Sequence, residues 1–491
     1  MTIAQTAYGK VRGTEIADGV YAWRGIPYAR PPVGDLRLRP PVPPVPWPGT
    51  RDATGYGFRS LQPPEQFPEP GAAPPPFDED CLYLNVTAPA GAADRPVLFW
   101  VHGGGYETGT GTEMAADGAA FARSHGLVVV TFNYRLGALG FLDLDGEAPS
   151  GAVGLHDQIA ALRWTFQNVA AFGGDPAAIT VYGLSAGGKT VTNLLASPLT
   201  RGLIRRAASS SGGDHVKSPD QARDLTARFF RELGTSPANV RAVPAADILN
   251  AQMAIATPPR SSWIWRPSVD GVALTGHPLT AIEAGSAAGI PLLAQTCARE
   301  CVLYQLMAPD AAKQADRVLA GYFGDQAAGT LLAAAAAAHP DLDATALRVA
   351  VMSDERYNVR VGRLVDAQSR HAPVFRSRYD GPYTGLPGPD SPDYEMFAAF
   401  APLSYAAHGA DGGAIWLGGD AGGDEALSNQ LHAAWGAFAV TGDPGWARYT
   451  TDDRKTMVFD PAGCRVSADP FASARAAWAG LDWQPGTWWA Y

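Results

Sequence analysis

Nowhere in the 491 residues is there a cluster of five or more lysines and arginines, and the formal net charge is −10. Such a chain lacks the basic footprint by which nucleic acid or an anionic membrane surface is held, so neither is expected as a partner. It also lacks any run of eighteen apolar residues, which excludes an evident membrane span and leaves 46% hydrophobic and 18% charged residues as globular composition. Cysteine is scarce. Cys81, Cys297, Cys301 and Cys464 are too few and too scattered for a disulfide scaffold. Cys297 and Cys301 stand at a spacing that metal ligands can have, but no Cys or His pair accompanies them; ordinary thiols and no metal or other cofactor are expected. The start, "MTIAQTAYGKVRGTE", shows no basic segment leading into an apolar one, so a cytoplasmic location is expected. Repeats of 20 to 50 residues are absent.

What is present alternates in an α/β manner. "PVLFWVH" and "LVVVTFNY" are near-continuous apolar, β-branched runs of the kind buried on both faces of a sheet, and "GLHDQIAALRWTFQNVAAF" has helical spacing. "YLNVTA", "AITVYG", "IPLLAQT" and "APVFRSRY" extend the strand series. Alanine-rich "LLAAAAAAHP" reads as a helix stopped by Pro340. The proline-rich stretches 30–50 and 63–76 read either as linkers or as long ordered loops capping a site; the strand pattern that resumes at once favours loops. No composition shift marks a boundary, so a single domain over residues 1–491 is expected, with a monomer as the default.

"VYGLSAGGKT", residues 181–190, satisfies two incompatible patterns. Gly183-x-x-x-x-Gly188-Lys189-Thr190 fits a phosphate-binding loop, whereas Gly183-x-Ser185-x-Gly187 fits a nucleophile elbow. Both require a strand before and a helix after, which this stretch supplies. A phosphate loop would also want a strand ending in an Asp for Mg²⁺, and the best candidate, "TMVFD", ends at Asp460, far downstream.

A nucleophilic Ser185 needs N–H donors for the developing oxyanion, a base, and an acid to orient the base. "VHGGGYETG" sets Gly103, Gly104 and Gly105 directly after a strand, where a glycine run can bring N–H groups onto a carbonyl oxygen. Nucleophile, acid, base is the chain order of the hydrolase elbow, so the base should lie well after Ser185. His408, in the small-residue loop "SYAAHGADGGAIW", fits. His339, His371 and His432 read as structural, and His215 and His277 come too early in the order. Glu300 follows the strand "PLLAQT" and suits the acid.

The sequence resembles the type-B carboxylesterases, relatives of the cholinesterases. The likeness runs nearly end to end, through "GIPYARPPVGDLRLRPP", "DEDCLYLNV", "HGGGY", "NYRLGALGFL", "GLHDQIAALRW", "FGGDPAAITVYGLSAGG", "SVDG" and "ARYTTDDRKTMVFD". It implies an α/β-hydrolase fold, a mostly parallel central sheet flanked by helices with long cap-forming loops. It also implies a serine carboxylic-ester hydrolase that forms an acyl-enzyme on a small-molecule ester. Motif by motif, the resemblance assigns the triad to Ser185, Glu300 and His408, the oxyanion donors to the N–H groups of Gly104, Gly105 and Ala186, and a neighbour of the acid to Ser211. Acyl transfer, carbamate or amide hydrolysis, and a non-catalytic binding role are the alternatives within the superfamily.

Four positions depart from the family pattern. Leu184 replaces the glutamate that usually precedes the nucleophile, which makes Leu184, with Tyr106, a pocket candidate and predicts neutral, apolar short-chain or aryl esters over choline-like ones. Lys189 replaces a small residue, and its direction is not readable from the sequence. Cys301 replaces the glycine after the acid. Ser60 and Leu61 stand where many relatives carry the cysteine that pairs with the counterpart of Cys81, so that disulfide is expected to be absent. Trp263, Trp265 and Trp416 are candidates for an apolar pocket or for the core.

Overall fold

The protein is described by a computed structural model covering residues 2–64, 76–112, 117–144, 149–256, 264–307, 319–384, 405–421 and 424–483. Its strands are β1 (Thr2–Thr6), β2 (Gly9–Ala17), β3 (Val20–Pro27), β4 (Thr50–Asp52), β5 (Arg59–Ser60), β6 (Phe77–Asp78), β7 (Tyr83–Pro89) and β8 (Arg95–Val101), then β9 (Val128–Phe132), β10 (Gly174–Leu184), β11 (Arg206–Ser210), β12 (Leu292–Cys297), β13 (Val374–Tyr379), β14 (Lys455–Phe459) and β15 (Arg465–Ala468). All but β5 and β6 form one 13-stranded sheet, ordered β1-β2-β3-β7-β9-β8-β10-β11-β12-β13-β14-β15 with β4 beside β2. The seven strands from β9 to β14 along this path are mutually parallel, β1, β2, β3, β7 and β15 join by antiparallel pairing, and β4 pairs with β2 in parallel.

Strand alternation divides the core. In β8, Val97, Phe99 and Val101 join a cluster with Val128, Val130, Val181 and Leu292, while Leu98 and Trp100 join another with Val129, Tyr182 and Leu293. Successive side chains point to opposite faces, so a sheet covered on both sides requires apolar residues at every position. That is why "VLFWV" and "VVVTF" carry no polar alternation. Every strand read from the sequence is present, as is the helix Val153–Asn168; the alanine-rich helix begins earlier than read, at Asp325, and ends at Ala338 before His339 and Pro340.

The proline-rich segment 30–50 is an ordered loop held to the body. Arg30 N–H donates to the Val42 carbonyl at 2.8 Å, and Arg37 makes a two-pronged contact with Glu79 (2.7 and 2.5 Å) and reaches the carbonyl of Val243 at 2.5 Å. Most of the second proline-rich stretch, 65–75, lies outside the described residues.

Two of the sequence motifs are joined by a buried ion pair. Arg135 of "NYRLG" donates from Nε and Nη2 to the two oxygens of Asp157 of "GLHDQ" at 2.8 and 2.7 Å, and both side chains are buried. Removing one partner leaves an uncompensated charge in the core. Asp157→Ala is therefore expected to lower unfolding stability by about 3–5 kcal/mol, read as a drop in denaturant midpoint at unchanged slope.

Candidate active site

Ser185 is the residue between β10 and the helix Ala186–Ala196, with φ 59° and ψ −119°. A non-glycine residue in that region is strained, and the surroundings hold it there. Ser185 N–H donates to the Ser210 carbonyl at 2.9 Å and its carbonyl accepts from Lys189 N–H at 2.9 Å. The elbow needs its glycines: a Cβ on Gly183 would lie 2.3 Å from the Gly187 carbonyl, and one on Gly187 would lie 2.0 Å from the Val101 carbonyl oxygen. No side chain fits where the helix start passes this close to β8 and β10.

Register explains why distant segments meet here. Gly183 pairs with Val101 and Leu184 with Ser210, so β8, β10 and β11 end level with one another. His102–Gly105 leave β8, Ser185 leaves β10, Ser211 leaves β11, and Glu300 follows the end of β12 by three residues. In an open parallel sheet the crevice beyond the carboxyl ends of the strands is where ligands bind.

Glu300 is fully buried, and its carboxylate accepts three hydrogen bonds from the described residues. Ser211 Oγ donates to Oε1 at 2.6 Å, Cys297 N–H donates to Oε1 at 2.8 Å, and His408 Nδ1 donates to Oε2 at 2.6 Å. The His408 backbone N–H also reaches the Glu300 carbonyl at 3.1 Å. With the proton on Nδ1, Nε2 is left as the basic nitrogen. That nitrogen lies 3.5 Å from the hydroxyl of Tyr357, whose ring stacks on the imidazole at 4.6 Å, and the Tyr357 hydroxyl in turn meets that of Tyr304 at 2.7 Å. Among the described residues no hydrogen bond joins Ser185 Oγ to His408, a contact that in such sites tightens when substrate binds. The two segments nevertheless share an apolar cluster, which holds Leu184 together with Ala410.

Gly104 and Gly105 have φ of 92° and 63°. A Cβ on Gly104 would lie 2.2 Å from the Thr108 carbonyl oxygen, so only glycine permits this loop. Gly105 and Ala186 border a narrow cleft completed by Tyr106, Lys189, His215 and Arg266. The Ala186 N–H belongs to the first turn of its helix, where N–H groups have no helical acceptor. Lys189, on the next turn, is buried with its ammonium over the Tyr357 ring, 4.7 Å from the centroid. Burial pushes the Lys189 ammonium down to about 7, against the opposing pull of Glu300 and with help from Arg356. Burial likewise pushes Arg266 down to about 10, opposed by Glu355. His215 is driven well below the usual histidine range by burial and then by Lys189, Arg266, Arg360 and Arg356.

The structure thus brings Glu300, His408 and Ser211 into one hydrogen-bonded chain and sets Gly105, Ala186 and Tyr106 on one cleft. Leu184 packs under the His408 loop, in a cluster with Tyr182 and Trp416 and against Tyr383. Trp265 and Trp416 are core residues, packed on Phe229 and Trp100 at 5.7 and 5.0 Å, not cleft walls; Trp263 lies outside the described residues. Cys301 is buried, and its N–H donates to Ser353 Oγ at 2.9 Å, so the position after Glu300 is held without glycine. Cys81 is a free thiol, pushed up to about 12 by burial, with Ser60 beside it. His432 is structural, with its ring nitrogens 2.8 Å from the Ile415 carbonyl and 2.8 Å from Ser124 Oγ. Asp460 is four strands from the elbow along the sheet and pairs with Arg465 at 3.0 Å.

Sequence reasoning missed three neighbours. His215 was set aside by chain order, yet it lines the cleft. Tyr357 sits on a π-helical turn, Asp354–Asn358, for which the local sequence carries no signal. Asp411, three residues after His408, is a second buried carboxyl, held by Gln295 Nε2 at 2.5 Å and by Cys297 Sγ at 3.6 Å, and raised above the usual carboxylate range by burial.

The model of a family described as the carboxylesterase family matches residues 1–478. The chain is 35% identical to a para-nitrobenzyl esterase of Bacillus subtilis (strain 168), over 96% of this chain and 97% of that one. It is 33% identical to a phenmedipham hydrolase of Pseudarthrobacter oxydans, over 95% and 97%. Among solved structures, a PNB esterase superposes with a TM-score of 0.84 at 33% identity, over 97% of this chain and 99% of that one. A carboxylesterase of Geobacillus stearothermophilus superposes with a TM-score of 0.82 at 34% identity, over 97% and 100%.

Proposed function

We propose, from the premise that this chain belongs to the carboxylesterase family, has its α/β-hydrolase fold and hydrolyses carboxylic esters as a serine hydrolase, that Ser185, His408 and Glu300 are the catalytic triad. The observation that carries the assignment is the buried Glu300 carboxylate. It is saturated by Ser211, Cys297 and His408, and it fixes the imidazole with Nε2 as base, at the strand ends where Ser185 occupies the elbow.

His408 Nε2 takes the Ser185 proton as Oγ attacks the ester carbonyl. The oxyanion that forms is received by the N–H groups of Gly104, Gly105 and Ala186. Collapse expels the alcohol, protonated by His408, and leaves an acyl-Ser185 ester. Water, deprotonated by the same nitrogen, repeats the attack and releases the acid. Before attack, Nε2 exchanges its contact with the Tyr357 hydroxyl for one with Ser185. Ser211 acts by holding Glu300, and Tyr106 walls the cleft.

The alcohol side is apolar. Leu184, buried against the His408 loop, offers a departing cationic alcohol no counter-charge, so neutral alkyl and aryl alcohols are the preferred leaving groups. The whole chain acts as one domain, and four free thiols suit a cytoplasmic setting. A fluorophosphonate probe should label Ser185, identified by peptide mass, and abolish turnover of p-nitrophenyl butyrate in proportion to labelling. Butyrylcholine should be hydrolysed about tenfold or more less efficiently than the neutral ester. Labelling of another serine with full loss of activity would refute the triad, and efficient choline-ester hydrolysis would refute the neutral-alcohol reading.

A further inference from the structure

Residues 478–483 pack onto the π-helical turn that carries Tyr357. Trp483 is 5% exposed, and its indole lies against that of Trp478 with ring centroids 4.6 Å apart. The guanidinium groups of Arg360 and Arg363, on the helix Val359–Gln368, stand over the Trp483 ring at 4.3 and 4.6 Å. Backbone is held as well as ring: Arg363 donates to the Leu481 carbonyl at 2.8 Å, and Arg360 to that of Trp483. The family match ends at residue 478, so most of this docking lies beyond it.

The indole N–H leads from this docking toward the catalytic base. Trp483 Nε1 donates to Oε1 of Glu355, a fully buried side chain in the turn Asp354–Asn358, at 2.8 Å. Glu355 and Tyr357 are two residues apart in that turn, so their side chains leave it on nearly opposite sides. One meets the C-terminal segment. The other stacks on the His408 imidazole at 4.6 Å, with its hydroxyl 3.5 Å from Nε2. A single apolar cluster holds Trp478, Trp483 and Tyr357 together with Cys301 and Ala407, the chain neighbours of Glu300 and His408. Both ends of the turn are pinned, at Ser353 by the Cys301 N–H (2.9 Å) and at the Asn358 carbonyl by Arg376 (3.2 Å). Between those pins a shift of Glu355 is passed to Tyr357 through two residues of backbone.

A single hydrogen bond at Nδ1 does not fix the plane of an imidazole, whereas a ring stacked on its face does. We infer that Trp483 is a positioning residue for the catalytic base: docked on the π-helical turn, it keeps Tyr357 against the His408 imidazole and so aims Nε2 at Ser185 when substrate is bound. The inference rests on the triad reading and adds to it a residue that touches neither substrate nor reacting atoms. Misplacing a catalytic group by about 1 Å from a distance can cost about 10²-fold in rate. Loss of the Trp483 contact is therefore visible in turnover.

The test measures turnover of p-nitrophenyl butyrate per active site, counted by fluorophosphonate labelling, so that unfolded protein does not enter the rate. In Trp483→Leu, kcat per labelled site is expected to fall about tenfold or more, with KM within about twofold of the parent. Trp483→Phe, which keeps a ring for Arg360 and Arg363 but loses the N–H, should fall in between. In a Tyr357→Leu background the cost of Trp483→Leu should shrink below about twofold, since the ring that transmits it is gone. An unchanged kcat per site in Trp483→Leu, or an equal loss in both backgrounds, would overturn the inference; the second is what a general loosening of the fold produces. The low-field proton resonance of His408 Nδ1–H, identified by its absence in His408→Ala, reports the seating of the ring without turnover. It should shift or broaden in Trp483→Leu and in Tyr357→Leu, and an unmoved resonance in Trp483→Leu overturns the inference. If the parent is neither labelled nor active, the triad falls and the resonance alone decides: moved by Trp483→Leu, the positioning of His408 stands; unmoved, it falls.

Discussion

In Ser185→Ala, hydrolysis of p-nitrophenyl butyrate is expected to fall by about 10⁶-fold in kcat, the loss seen when a serine hydrolase is deprived of its nucleophile. The substitution removes one oxygen and keeps the backbone. The elbow is held at φ 59° by the Ser185 N–H bond to Ser210 and by glycines at 183 and 187 packed against Val101 and each other, none of which involves Oγ. Alanine therefore inherits the same turn, and the thermal midpoint should stay close to that of the parent. What survives is catalysis by the oxyanion donors and by substrate positioning, about 10³–10⁴ over water. Stopped-assay kinetics on both proteins, purified from a host lacking its own esterases, gives the ratio. An active, correctly folded alanine variant would remove Ser185 from the mechanism and with it the acyl-enzyme.

Glu300→Gln is expected to cost about 10⁴-fold in kcat, because a neutral amide in that place favours the wrong imidazole tautomer. Glutamine can still accept from Ser211 Oγ and Cys297 N–H through its carbonyl oxygen, so the fold of the β12 end is retained. Its NH₂, however, would then face His408 Nδ1 and donate to it, moving the ring proton to Nε2, the nitrogen that must be free to receive the Ser185 proton. Asp411 does not take over. Its oxygens are engaged by Gln295 and by the Cys297 thiol, Gln295 is itself tied to Ser377, and burial favours the protonated form of the Asp411 carboxyl. KM should move little, since the lost interaction serves the transition state. Retention of more than about a tenth of the parent kcat would place the orienting charge elsewhere, and an Asp411→Asn variant assayed beside it would show whether Asp411 carries it.

Much of this architecture was legible without coordinates because it is encoded locally. Strands buried on both faces must be apolar throughout, so β8, β9 and β10 announce themselves. The nucleophile turn needs glycines at fixed offsets from Ser185, because the helix start passes within van der Waals range of β8. The loop Gly103–Gly105 needs glycine for the same reason. The phosphate-loop reading failed on context rather than on its letters: Lys189 completes the pattern but is buried toward Tyr357, and Asp460 is far along the sheet.

What could not be read depends on residues that only the tertiary structure makes neighbours. Cys301 in place of glycine is harmless because Ser353, from another helix, receives its N–H. His215 was excluded by chain order, a criterion for bases that says nothing about cleft walls. Tyr357 belongs to a π-helical turn, which arises from packing rather than from sequence propensity. Trp416 and Trp265 read equally well as pocket or core, and only packing against Trp100 and Phe229 distinguished them.

By itself, then, the sequence determined the parallel sheet through its periodicity and named the serine, acid and histidine candidates through glycine spacing and order along the chain, while the family was carried by the resemblance of whole motifs. Whether a buried side chain points into the crevice or away from it was decided by the tertiary structure alone. Lys189 and Arg266 are 77 positions apart in the chain and line one pocket only when the helix after Ser185 and the segment at 266 are packed together. Which residues share a pocket is a property of space, and a linear sequence does not contain it.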